Sequence, residues 1–504
     1  MFTRLAVNKS YRLAYIALAA ILGILYDVFF WEQTLGIGFL LFMVAYVFSF
    51  VLLAKTSKHI SYPYAFLLVV PILLMAVTPA LYNNRLVVEA IPVVVPILAI
   101  IFSIVLTLQN PDKHQFFLRN IPILQDIDHV FKKWGAVIRD LLLWGKGASK
   151  ERLKKVLIGV AIAMPILFVF GMLFVAADPV FADIIKQWLY IDDLAEFIWR
   201  IFRSSVMALF LAGFFYVLIS KEHTLMNKER IVKKLDGTIV GVILTLVNVL
   251  FLFFVAVQFK YLFGSAEYVT GNSMVFAEYA RNGFFQLVWV IVLAALMLVL
   301  FYRSSSAHGH KNLLTMLKVF LIVQVEVIAY SALHRMNLYQ DAYGYTVLRL
   351  YVEWFIYLVL ALLIFAAASM MTKLKFRTFF YTVLVSGIVA FTCVSLMNVD
   401  RMIAKENIDR ALFEGKELDV QYLLYDLSID TAPELKRAFD AGYKGQELYR
   451  SNKWGGYDGE SIIINKQNVY DEYQREYKKD RYQYQEEFTD SFSSWNKGRK
   501  ELFK

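Results

Sequence analysis

One element recurs along this chain: an apolar run of about 20 residues, the length that carries an α-helix across the hydrocarbon of a bilayer. Such runs fall at about 13–31, 35–54, 62–81, 86–108, 155–177, 195–219, 238–262, 284–302, 313–334, 346–371 and 378–397. A helix satisfies its backbone hydrogen bonds within the segment, so each run can enter lipid without a partner strand. The expectation is an all-α polytopic membrane protein with about eleven transmembrane helices. Composition agrees, with 59% hydrophobic and 19% charged residues, against roughly 45–50% and about 25% in ordinary globular domains.

The charges between the runs set an orientation. Lys55 and Lys58 follow the second run, and 109–154 carries Lys113, Arg119, Lys132, Lys133, Arg139, Lys146, Lys150 and Arg152. Lys221, Lys228, Arg230, Lys233 and Lys234 follow the sixth, Arg303 and Lys311 the eighth, and Lys373, Lys375 and Arg377 the tenth. The alternate loops are short and neutral or acidic, as around Asp178, Asp183, Asp192 and Asp193. Basic loops stay in the cytoplasm. The N-terminus is therefore expected inside and the tail, 398–504, outside. The apolar run after Arg4, Lys9 and Arg12 is too long for a signal-peptide core and reads as a retained first span.

The net charge of +10 does not indicate nucleic acid. The tail holds 18 basic and 21 acidic residues, so it is −3 and the rest of the chain +13. The basicity belongs to the membrane part. The single cysteine, Cys393, excludes a disulfide within the chain.

Four regions follow: four helices over 1–108, a cytoplasmic connection at 109–154, seven helices over 155–397 and an extracytoplasmic tail at 398–504. In the connection, Ile127, Val130, Phe131, Trp134, Val137, Ile138, Leu141 and Leu142 recur at helical spacing, an amphipathic helix suited to the membrane face. The tail is expected to be mostly helical. Asn398–Gly415 continues the last span as a polar helix, Asp419 caps a second, and Thr431–Glu434 reads as a capping box before a stop at Gly442. Ser461–Ile464 suits a strand, and Tyr470, Tyr473, Tyr477, Tyr484, Phe488, Phe492 and Trp495 make one aromatic helix face. That face is a packing seam or a docking surface for a protein partner or lipid headgroups.

No phosphate-binding loop, dinucleotide fingerprint, zincin pair or Gly-x-Ser-x-Gly elbow occurs. His308 and His310 lack a nearby carboxylate or thiol, so no metal, cofactor or catalytic residue is assigned. Ionisable residues in or beside the spans carry more information, because a charge in lipid costs several kcal/mol and usually faces a bundle interior or a water-filled cavity. Asp27, Glu89, Arg200, Arg203, Glu278, Arg281, Glu326, Arg349 and Glu353 all fall in the outer half. Glu326 lies about 12 Å below its helix end, and so does Glu353. Arg349 and Glu353 are four apart and expected to pair. Such charges serve either as interhelical ion pairs or as a polar cavity open to the outer side. The candidate binding set for that cavity is Arg200, Arg203, Tyr279, Arg281, Gln286, Glu326, Tyr343, Arg349 and Glu353.

Three segments resemble a catalogued family. Tyr279-Ala-Arg281-Asn-Gly283-Phe284-Phe285-Gln286-Leu287 is similar to the hallmark of domain of unknown function 4173, a bacterial integral membrane family related to 4153. Tyr343-Gly344-Tyr345-Thr346-Val-Leu-Arg349 resembles its second signature, with Tyr345 in place of the usual Leu. Asn398-Val-Asp400, Ile403-Ala404, Asn407-Ile408, Arg410, Asp419 and Tyr422-Leu423 resemble its segment after the last span. The resemblance implies a polytopic protein of a bacterial cytoplasmic membrane. It brings no substrate or reaction.

The function expected first is binding or transport of a small polar or charged solute, supported by the buried charges and by spans interrupted at Pro71, Pro79, Pro92, Pro96 and Pro165. A second reading is an outer-face transferase using a lipid-linked substrate, for which the first outer loop, Glu32–Thr34, is short. A third is a sensor or assembly factor acting through the tail.

Overall fold

The computed structural model describes residues 12–31, 33–57, 60, 63–107, 194–219, 236–263, 284–302, 311–444, 446–451, 457–481 and 495–502, with 134, 137, 170, 173, 174, 177 and 178 singly. The expected span at 155–177 and the amphipathic helix at 127–142 fall outside the described residues, apart from those single positions. Eight described helices are long and apolar enough to cross a membrane, and two shorter apolar helices, Ala14–Phe30 and Gln286–Phe301, join them. Each coincides with one of the expected runs. The chain divides into two compact units, one of Met1–Lys228 with Arg481–Lys504 and one of Glu229–Asp480.

The first unit is built from α1 (Arg12–Phe30), α2 (Ile37–Thr56), a 3-10 segment (Pro63–Leu68), α3 (Val69–Ala76), α4 (Thr78–Leu81), a π turn (Leu86–Ala90), α5 (Ile91–Thr107) and α6 (Leu194–Ile219). Proline explains its broken third span. Pro79 has no N–H to offer the Met75 carbonyl. The helix stops at Val77, and the Thr78 hydroxyl donates to Met75 O instead, at 2.8 Å. Pro92 likewise withholds a donor from Val88 O. The backbone widens there into the π turn, with Ile91 N–H reaching Leu86 O.

α1 packs along α6. The two run antiparallel, because Tyr15 meets Tyr216 at one end and Trp31 meets Glu196 at the other. Gly23 sets their separation. A Cβ there would stand 2.6 Å from Ser204 O and 2.8 Å from Ala208 Cβ. Small residues let membrane helices approach this closely, where dispersion replaces the absent hydrophobic drive. A tyrosine and aromatic seam joins α2 to α5 and α6: Tyr46 bonds Ser103 at 2.9 Å, and Phe50 packs on Phe102 and Phe215.

In the second unit the helices are α7 (Gly237–Phe263), α8 (Phe284–Phe301), α9 (Lys311–Tyr343), α10 (Val347–Met371) and α11 (Phe376–Ser395). α9 is the hub, packing on α7, α8 and α10. Leu321, Ile322, Val325, Ile328, Ala329 and Ala332 on it are fully buried.

The tail begins with α12 (Val399–Phe413), which is a new helix and not a continuation of α11. Asn398 starts it by accepting from Arg401 N–H at 3.2 Å. Asp419 caps the π turn Tyr422–Asp426 through Tyr422 N–H at 2.9 Å, as its position predicts. α13 (Ala432–Asp440) starts after Thr431 and stops before Gly442, whose φ is +95°. The expected capping box does not form. Thr431 Oγ1 donates to Ser428 O at 2.8 Å and meets Tyr473 Oη at 2.7 Å, while Glu434 pairs with Arg401 and Arg437. The expected strand is half of a hairpin, β1 (Gln446–Ser451) against β2 (Tyr457–Ile464), antiparallel with Leu448 opposite Ile462. α14 (Val469–Arg481) buries Tyr473 as a packing seam. The aromatic face does not run to Trp495 on a single helix, for Trp495 sits in coil before α15 (Lys497–Leu502). Tyr484, Phe488 and Phe492 lie outside the described residues.

Candidate functional site

Asp27, in the last turn of α1, is the centre of the first polar cluster. Arg200 Nε donates to Asp27 Oδ2 at 2.8 Å, and Arg203 Nη2 to Oδ1 at 2.6 Å. The Arg203 guanidinium carbon lies 3.4 Å from the centroid of Trp31, whose indole N–H donates to Glu196 Oε1 at 2.9 Å. Arg200 and Arg203 are three residues apart, one turn of α6, so both reach the same carboxylate. The Asp27 side chain is buried and doubly bonded, the interhelical ion pair that is one of the two roles open to these charges.

The second cluster surrounds the turn from α9 to α10. Gly344 makes that turn with φ +79°, a conformation that favours glycine. A Cβ there would meet Asn407 Oδ1 at 2.6 Å. Asn407 reads the next residue with both ends of its amide: Tyr345 N–H donates to Oδ1 at 2.7 Å, and Nδ2 donates to Tyr345 O at 2.9 Å. Arg410 closes the end of α9 by donating to Gln340 O at 2.8 Å and to Asp341 O. Val347 N–H, at the start of α10, donates to Tyr422 Oη at 3.0 Å. These groups satisfy carbonyls and N–H groups that helix ends leave open. Burial raises the pKa of Tyr422 above the ordinary tyrosine value, and the Val347 bond opposes this. Asp400, on α12, accepts from Ser428 N–H at 2.9 Å, and burial raises its carboxyl above the usual range.

Arg349 does not pair with Glu353. Its Nη1 donates to Gly344 O at 2.6 Å and Tyr343 O at 3.2 Å, and its guanidinium stacks 4.1 Å over Tyr339. Two carbonyls presented by the Gly344 turn lie within its reach, so the i+4 partner is left. Glu353 Oε2 accepts from Gln340 Nε2 at 2.9 Å instead. Tyr343 is exposed and packs on Tyr339.

The remaining candidates separate. Arg200 and Arg203 belong to the first unit, and Glu326, Tyr343, Arg349 and Glu353 to the second. Gln286, in the first turn of α8, is exposed. Tyr279 and Arg281, with Glu278, lie outside the described residues. Glu326 is half-buried on α9. Among the described residues, no hydrogen bond or ion pair reaches it.

The roles of three groups go beyond what the sequence pattern assigns. Asn407 and Arg410 act on backbone some 60–70 residues away, which no spacing rule reports. Between α7 and α9, Gln324 Nε2 donates to buried Asn248 Oδ1 at 2.9 Å, while Gln324 Oε1 is buried without a donor. Lys318, on the same helix, is also buried, and its place six residues inside the span was a signal to find it. Among the described residues, no group of three or more His, Cys, Asp or Glu can hold a metal ion.

Apolar helices of membrane-spanning length define a multi-pass helical membrane protein. The profile described as Domain of unknown function (DUF4153) matches residues 69–438. The chain belongs to that family. No curated protein and no solved structure matches it.

Proposed function

We propose that the protein binds or transports a small polar or charged solute through an intramembrane site open to the outer side, with Glu326 as its working carboxylate. One observation carries this reading. Among the described charged residues of the outer half, Asp27, Glu89, Arg200, Arg203, Arg349 and Glu353 are each engaged by a neighbour within the chain, whereas Glu326 is not. A carboxylate at this depth needs a cation or a proton to be tolerated. A cationic or zwitterionic solute supplies the first. Tyr279, Arg281 and Gln286 are kept as further lining residues, and the likeness of Tyr279–Leu287 to domain 4173 is part of the same proposal. Arg200, Arg203 and Arg349 serve better as joints than as ligands.

The protein is purified in nanodiscs and its melting temperature followed against a panel of inorganic cations, amines and amino acids. A solute that raises the melting temperature of wild type but not of Glu326→Gln supports the site, since only binding to the folded state shifts it. Equal shifts in both proteins, or none from any member, contradict it.

The proposed setting is an eleven-span chain of a bacterial cytoplasmic membrane, starting inside, with 398–504 outside. Contacts within the first unit support the parity. α5 starts beside the end of α1, since Asn83 and Leu35 both meet residues 496–499. α6 starts at that same end, beside Trp31. These ends favour an odd number of crossings between Thr107 and Leu194, and the apolar run at 155–177 is long enough to supply one. The basic loops orient the set.

A further inference from the structure

The tail begins in the second unit, yet its last described segment, Trp495–Leu502, is counted with the first. Its contacts there are specific. Asn496 is 2% exposed and Arg499 4%. Asn496 Nδ2 donates to Pro79 O at 2.8 Å and Tyr82 O at 3.2 Å, and its Oδ1 accepts from Asn83 Nδ2 at 2.8 Å. Arg499 donates to Asn83 Oδ1 at 3.1 Å, to Leu35 O at 2.6 Å and to Thr34 Oγ1. Ile37 N–H, opening α2, donates to Trp495 O at 3.1 Å.

The acceptors share an origin. Pro79 O and Tyr82 O belong to the end of α4, the fragment that the break at Val77 separates from α3. Leu35 O belongs to the short connection ahead of α2. Helix ends leave such carbonyls open, and two side chains from the far end of the chain close them.

We propose that Trp495–Leu502 is a detachable latch: the tail docks it on the loops joining α1 to α2 and α4 to α5, and undocking frees the α3–α4 break to bend. The latch is a six-residue helix, too short to persist alone. Its contacts to those loops include hydrogen bonds made by Asn496, Arg499 and the Trp495 carbonyl, and Trp495 itself is 38% exposed. Local opening is the property expected of elements that move. The latch stands independently of the solute site.

The test is hydrogen exchange on the full chain in nanodiscs. In a Cys393→Ser background, Asn83→Cys with Asn496→Cys is oxidised to lock the latch. The pair is expected to cross-link, and amides 34–37 and 80–84 are expected to exchange about tenfold or more slowly than in the reduced protein. Arg499→Ala is expected to speed those amides while leaving 46–54 of α2 unchanged. Failure of the pair to cross-link overturns the docking. Equal exchange in locked and reduced protein overturns its detachment, and so does acceleration throughout the unit by Arg499→Ala.

Discussion

Asn407 and Tyr345 hold one another by two hydrogen bonds, Tyr345 N–H to Asn407 Oδ1 at 2.7 Å and Asn407 Nδ2 to Tyr345 O at 2.9 Å. A side-chain amide here plays the part of a neighbouring strand, tying the tail's first helix to the turn between α9 and α10. Asn407→Asp keeps the acceptor and loses the donor. Leaving a partly buried carbonyl unpaired costs about 1–3 kcal/mol. The expected result is a lower melting temperature for Asn407→Asp. An unchanged melting curve would show that the turn stands without it.

Gly344 tests the same joint from the other side. Gly344→Ala must hold φ near +79° and displace Asn407 Oδ1 from 2.6 Å. Strain of this kind costs about 1–3 kcal/mol. Gly344→Ala is therefore expected to destabilise the chain at least as much as Asn407→Asp. Because both act on one contact, the double variant should lose less than the two losses added. Full additivity would separate the two residues.

Asp27→Asn removes the anion that holds Arg200 and Arg203. Losing one partner of a fully buried pair costs about 3–5 kcal/mol. Arg200 is 42% exposed and rehydrates, so about 2 kcal/mol is expected here. A melting temperature no lower than wild type would assign these charges to something other than joining α1 to α6.

The Asp400 carboxyl predicts a pH dependence. Burial raises its pKa in the fold above 3.8. Above that value the unfolded chain releases the proton first, so the folded state binds more protons and stability falls as pH rises. Asp400→Asn keeps an acceptor for Ser428 N–H and removes the titration. The difference in melting temperature, variant minus wild type, should grow as pH rises from about 3.8. A difference that stays flat would contradict the assignment.

Topology has its own check. Phe413 is 80% exposed at the end of α12. Phe413→Cys in a Cys393→Ser background should react with a membrane-impermeant maleimide in spheroplasts. Reaction only after lysis would place the tail inside.

Helices of the spans were legible because lipid demands long apolar runs, and composition records that demand directly. Tail elements with local signals, such as Asp419, Gly442 and Ser461–Ile464, were legible too. The joints were not. Arg349 was assigned to Glu353 by helical spacing, yet the Gly344 turn exposes two carbonyls that bind it instead. Asn496 and Arg499 look like ordinary surface residues of a polar tail, since nothing in their neighbourhood reports loops some 400 residues away. Hydrogen bonds from side chains to distant backbone leave no period in a sequence.

Glu326 can be tested by its chemistry without knowing the solute. A hydrophobic carbodiimide reacts with a protonated carboxyl reached from the membrane. With the protein in a bilayer, peptide mass mapping should find Glu326 modified and Asp27 and Glu353 spared. An inert Glu326 beside modified Asp27 or Glu353 would contradict its assignment as the one working carboxylate.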